Sequence, residues 1–117
     1  SSAASDVYKR QPTILSLTGN QTMPVVQNAP VTLLVKTSGV GYDGYQWYVN
    51  RGHGLGFMPV MGATGASLPL YPTLADNGSQ YYCRVMNGYG RVNSSYFILS
   101  VVGGMAPKTG DQVSATL

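Results

Sequence analysis

One cysteine (Cys83), one histidine (His53) and four aspartates, with no glutamate, are the only thiol, imidazole and side-chain carboxyl groups that this chain offers for nucleophilic or acid–base chemistry. Either kind of catalysis needs a reactive group and a positioned companion. Asp43 stands alone in "SGVGYDG", Asp76 lies in "LADNGSQYYC", and Asp6 and Asp111 are close to the two ends. His53 sits among glycines in "RGHGLG", the setting of a solvated loop residue. A transition-metal site would lack ligands, and no acidic loop of the calcium-binding kind is present. Cys83 alternates with apolar residues in "QYYCRVMN". A reactive thiol needs an electropositive, exposed position, whereas an inward strand position makes a free cysteine a small buried hydrophobe. The expectation is therefore a protein that is not an enzyme and that carries no cofactor or metal.

Composition says which elements hold these residues. The chain has 117 residues, the size of one domain. Charged residues make up 9% of it, against about 25% in an average globular protein. Nine tyrosines and so little charge point to strands, and 15 glycines and seven prolines to many tight turns. The formal charge is +3, yet the basic residues are scattered and Lys9–Arg10 is their single adjacent pair. Nucleic-acid binders cluster such residues on one stripe, so no nucleic-acid partner is expected. Nothing approaches the ~20 apolar residues of a membrane-spanning helix.

From Pro12 onward the hydrophobic period is two, interrupted by glycine and asparagine. "PTILSLT" reads as a first strand and "MPVVQ" as a short extended piece. "VTLLVKT" turns Val31, Leu33 and Val35 to one face. "YQWYVN" turns Tyr45, Trp47 and Val49 one way and Gln46, Tyr48 and Asn50 the other. "FMPV" is a short strand, and "ASLPLYP" sends Leu68 and Leu70 inward. "QYYCRVMN" sends Tyr81, Cys83 and Val85 inward, and "NGYG" closes a hairpin onto "RVNSSYFILSVV", read as one last strand. No window has helical periodicity. About seven short strands with regular turns indicate an all-β, two-sheet antiparallel sandwich.

Residues 1–11, "SSAASDVYKRQ", call for separate treatment. They resemble the translation of an oligonucleotide adapter used in sequencing libraries, matched codon by codon; a flexible Ser/Ala-rich terminus is the alternative. The resemblance implies a natural sequence starting at Pro12 and a fragment of a longer reading frame. Without Asp6, Lys9 and Arg10, five basic and three acidic residues remain.

Residues 12–102 resemble an immunoglobulin-like (I-set-like) domain of the kind found in Gram-positive bacterial surface proteins. "YQWYVN" is similar to the third-strand motif around a buried tryptophan, here Trp47. "LADNGSQYYC" is similar to the corner leading into the sixth strand, where a tyrosine two residues before the cysteine bonds back to the backbone. Tyr81 holds that position, with one extra residue between Asp76, Gly78 and Tyr81. The resemblance implies an inter-sheet disulfide whose first cysteine is replaced here by Val35. Such a bridge contributes roughly 4 kcal/mol in the chain-entropy model. The implied sandwich thus lacks its disulfide, and Val35, Trp47, Leu70, Tyr81 and Cys83 are its expected core.

Residues 103–117 form a linker and a partial motif. "APKTGD" resembles the cell-wall sorting signal read by sortase, with Ala106 in place of the usual leucine. By position, Pro107 kinks the peptide, Lys108 is variable, and the transpeptidase thiol attacks the carbonyl of Thr109 to cut its bond to Gly110. A plain loop of turn residues is the alternative. The resemblance implies sortase and peptidoglycan as partners, neighbouring domains of the same chain, and an extracellular position anchored to the bacterial wall.

Strand parity leaves one more surface. Gln46, Tyr48, Tyr82, Arg84, Met86, Tyr96 and Ile98 project outward on strands that are neighbours in such a sandwich. Tyrosine, arginine and methionine are favoured in interface cores, so this face is the candidate contact surface for a protein or glycan ligand. Cross-strand pairing without any partner is the competing explanation. Tyr42, Arg51, His53 and Tyr89 form a second, loop-borne candidate. The expected function is a non-catalytic adhesion or ligand-binding module; the alternatives are a passive stalk or an accessory module of a secreted carbohydrate-active enzyme.

Overall fold

A computed structural model describes residues 11–38 and 44–103. The adapter-like residues 1–10, the loop carrying Tyr42 and Asp43, and the sorting motif Ala106, Pro107, Lys108, Thr109 and Gly110 lie outside the described residues. Within them the chain is all-β. Ten strand segments occur: β1 (Thr13–Gly19), β2 (Val25–Val26), β3 (Val31–Ser38), β4 (Gly44–Asn50), β5 (Met58–Pro59), β6 (Ser67–Leu70), β7 (Gln80–Asn87), β8 (Gly90–Asn93), β9 (Phe97–Ile98) and β10 (Val101–Val102). One short 3-10 turn, Leu74–Asp76, precedes β7.

The strands form an antiparallel three-stranded sheet in the order β1-β3-β6 and a second antiparallel sheet in the order β5-β4-β7-β8, with β9 also on β7. A parallel pair, β2 with β10, stands apart. In β3 the alternation expected from "VTLLVKT" buries Val31, Leu33 and Val35 and exposes Leu34 and Lys36. In the second sheet Trp47 faces Cys83, Val49 faces Tyr81 and Tyr45 faces Val85. These inward residues, with Val25, Leu68, Leu99 and Val101, make one hydrophobic core shared by both sheets.

Trp47 is fully buried at its centre. A buried indole must satisfy its N–H, and Trp47 Nε1 donates to Gly65 O at 2.8 Å. Val35 and Cys83 belong to the same core cluster. Leu70, expected inside, is only half-buried. It is the last residue of β6, opposite Val31, and packs against the edge of the core.

The expected single last strand is three segments. Arg84 pairs with Asn93, but Tyr81 pairs with Phe97, so one extra residue is accommodated between β8 and β9. Ser94 occupies this bulge. Its Oγ accepts the Cys83 N–H at 2.9 Å and donates to Ser95 O at 2.8 Å, standing in for a ladder carbonyl. Beyond Leu99 the chain leaves β7 and β10 takes up β2 in parallel.

The corner also departs from expectation. Tyr81 is buried, but its hydroxyl has no hydrogen bond among the described residues. The additional corner residue gives the closure to others. Asn77 Oδ1 accepts the Val101 N–H at 2.9 Å, and Gly78 N–H donates to Leu99 O at 2.7 Å. Gly78 adopts φ +87°, a left-handed conformation that strains residues with a Cβ.

Candidate functional site

Strand pairing places the outward residues of the second sheet in a ladder. Tyr48 lies opposite Tyr82 and Gln46 opposite Arg84. Arg84 is also opposite Asn93, and Met86 opposite Arg91. The Tyr48 and Tyr82 rings stack with centroids 4.8 Å apart and planes 12° from parallel. Phe57 reaches over from the approach to β5, edge-on to Tyr82 at 4.9 Å and tilted against Tyr96 at 5.0 Å. Tyr82 and Tyr96 are 5.9 Å apart, which completes a cluster of four rings. Such pairs contribute roughly 0.5–1.5 kcal/mol each beyond area burial.

Arg84 is held beside the cluster. Its guanidinium carbon lies 5.1 Å from the Tyr48 ring centroid, a cation–π arrangement. Nε donates to Asn93 Oδ1 at 2.9 Å, and Nη1 to the Tyr48 hydroxyl at 3.4 Å. Among the described residues Asp76 is the one carboxylate, and it pairs with Arg51 at 3.0 Å. Arg84 and Arg91 therefore share a face on which no described carboxylate balances them.

The seven expected face residues divide into two groups. Tyr82 is only 9% exposed, covered by Tyr48, Phe57 and Tyr96, so it is a support and not a free contact group. Gln46 is half-buried and folds down, donating to Trp47 O at 3.0 Å and Val60 O at 2.9 Å. Both expectations treated outward parity as accessibility. The aromatic crossover of Phe57 and the Val60 carbonyl of the following loop close over these positions instead. Tyr48, Arg84 and Met86 are half-buried. Tyr96 and Ile98 remain open, at 61% and 59%.

Sequence reasoning missed Phe57 as a member of this face. The signal was a large aromatic residue directly after a glycine run, in "GLGFMPV", at the start of the short strand.

The second candidate surface does not assemble as one site. Arg51 is committed to Asp76, whose other oxygen accepts the Thr73 N–H at 2.8 Å. His53 is exposed and lines a cleft of about 60 Å³ with Val49, Arg51, Leu55, Gly56 and Met58. Tyr89 lies at the β7–β8 hairpin, where its carbonyl accepts from Gln11 Nε2 at 3.4 Å. Burial pushes the Cys83 thiol up to about 11, away from the thiolate needed for reactivity. Tyr81 is raised mainly by burial as well. No cluster of three His, Cys, Asp or Glu side chains that could hold a metal occurs among the described residues.

No family model matches the chain, and none of the curated proteins matches it. The chain is similar to a crystal structure of an engineered protein at 14% identity and a TM-score of 0.47, over 74% of this chain and 20% of that one. It thus spans about a fifth of the length of that protein.

Proposed function

We propose that this chain is a non-catalytic immunoglobulin-like module of a wall-anchored bacterial surface protein, and that the outer face of its second sheet contacts a protein or glycan ligand. The observation that carries the reading is the ring cluster, whose supported rim, Tyr96 and Ile98, stays exposed beside the Arg84 guanidinium, which no described carboxylate neutralises. Rigid aromatic anchors with a preorganised arginine favour binding because little side-chain entropy is lost. The unbalanced charge favours a partner that presents carboxylates. Extracellular placement and sortase processing at Thr109–Gly110 rest on the motif resemblance.

A passive stalk is the second reading, favoured by the interlocking of Tyr48, Tyr82 and Arg84, which stabilises the sheet without any ligand. Surface attachment of beads carrying the chain, on arrays of acidic glycans and matrix proteins, separates the two. With a ligand, the double variant Tyr96→Ala/Ile98→Ala loses attachment while its melting temperature falls by only a few degrees. Equal attachment by variant and parent, or by neither, favours the stalk.

A further inference from the structure

The outermost strands are β1 and β6 in the first sheet and β5 and β8 in the second. An outermost strand turns a row of unpaired peptide groups to its free side, and that row is a template on which another chain can add a strand. β1 and β8 line one groove against each other and contain no proline. β5 and β6 each contain one, Pro59 after Met58 and Pro69 in "SLPL".

Register decides which way each proline nitrogen points. In an antiparallel ladder, bonded pairs turn their N–H and C=O groups to the partner strand, and the pairs between them turn theirs away. Val35 N–H donates to Ala66 O at 2.9 Å. Counting along the register from there, Leu33–Leu68 and Val31–Leu70 are bonded pairs, whereas Leu34–Ser67 and Thr32–Pro69 are not. The free side of β6 therefore holds the peptide groups of Ser67 and Pro69. At β5, Val60 N–H donates to Trp47 O at 2.9 Å, so the adjacent pair Tyr48–Pro59 is non-bonded as well. Both prolines thus put a nitrogen without hydrogen on the free side, where it costs the fold no ladder bond. The surroundings of β6 favour docking. Met61, 96% exposed, lines a groove with Ser67, Leu68 and Pro69, and Leu34 is exposed opposite Ser67.

We infer that Pro59 and Pro69 are edge blocks that keep a second copy of this chain from extending either sheet. Two β6 edges paired about a two-fold axis would join two sheets into one. With Pro69 in place that pairing keeps the Ser67 N–H but lacks the donor two residues on, and the pyrrolidine ring stands where the incoming carbonyl would bond. The same loss falls on β5 at Pro59. The blocks act whether or not the outer face binds a ligand.

Sedimentation velocity over a range of concentrations tests this with Pro69→Val and Pro59→Val, each compared with the parent chain. Either variant restores one N–H per chain, hence two hydrogen bonds across a two-fold pairing, so self-association should tighten by at least roughly tenfold. Pro69→Ala restores the same N–H with a minimal side chain and should shift in the same direction, which decides the matter if valine disturbs folding; thermal melts verify that each variant folds. Ser67→Val adds a branched apolar side chain to the same strand without changing any donor, and should associate as the parent does. In the associated Pro69→Val chain, hydrogen exchange should slow at the amide of residue 69. Unchanged association of a folded Pro69 or Pro59 variant overturns the assignment. Association with fast exchange at residue 69 overturns it as well. So does equal tightening by Ser67→Val, since surface apolarity and not the missing donor would then govern association.

Discussion

At the scale of the residue, Cys83 is informative because its thiol is isolated. Its pKa in the folded chain is about 11, raised by burial from 9.0. The unfolded chain therefore loses this proton first as pH rises. Between about 9 and 11 the unfolded state binds fewer protons, so stability falls with pH across that window and is unaffected by this group below it. The loss approaches about 2–3 kcal/mol by pH 11. Cys83→Ala should lower stability at neutral pH through the lost packing and flatten the decline above pH 9, measured as urea midpoints at pH 7, 9 and 10.5. Part of the slope remains in the variant, because Tyr81 is shifted in the same direction. An identical slope in parent and variant would mean that the thiol is solvated. The outer face yields the complementary expectation. Tyr82→Ala should cost about 3 kcal/mol, since it removes a covered ring that supports three others. Tyr96→Ala should cost a small fraction of that, and thermal melts of the two variants compare them directly.

At the scale of the element, the β8–β9 break depends on one hydroxyl. Ser94 Oγ satisfies the buried Cys83 N–H that the displaced ladder carbonyl leaves behind. Ser94→Ala leaves that donor unpaired and should destabilise the chain by about 1–3 kcal/mol, read from urea denaturation. Ser94→Thr retains the oxygen and should recover part of the loss. The break also marks where local pattern stopped being informative. "VTLLVKT", "YQWYVN" and "QYYCRVMN" were legible because each strand has one buried face, which forces a period of two. "RVNSSYFILSVV" keeps a similar alternation, yet β10 leaves β7 for a parallel partner more than seventy residues earlier in the chain. That pairing is non-local and has no signature in the segment itself. The same reason explains the outer face. Parity gave its residues, but their accessibility depended on Phe57 and the Val60 carbonyl, which arrive from a loop.

At the scale of the whole molecule, what remains to be tested is how the two sheets face each other. Val35 on the first sheet and Cys83 on the second lie in one core cluster around Trp47. The immunoglobulin-like proposal requires more than shared membership: these two positions must stand opposite each other at disulfide distance, with Cα atoms about 4.4–6.8 Å apart. Val35→Cys examines that relation directly. Under mild oxidant the variant should lose both free thiols without dimerising, as read by thiol titration and non-reducing mass analysis. Closing the loop between residues 35 and 83 should then raise stability over the reduced variant by roughly 4 kcal/mol in the chain-entropy model. The reduced variant is the proper reference, because it carries the same core substitution. If oxidation raises the midpoint and a reductant reverses the gain, the sheets adopt the facing that an inter-sheet bridge needs. If both thiols stay free in a variant that folds, or the bridge forms only between two chains, the facing differs. The fold would then be a β-sandwich of another kind, and the surface-protein reading would lose its structural half.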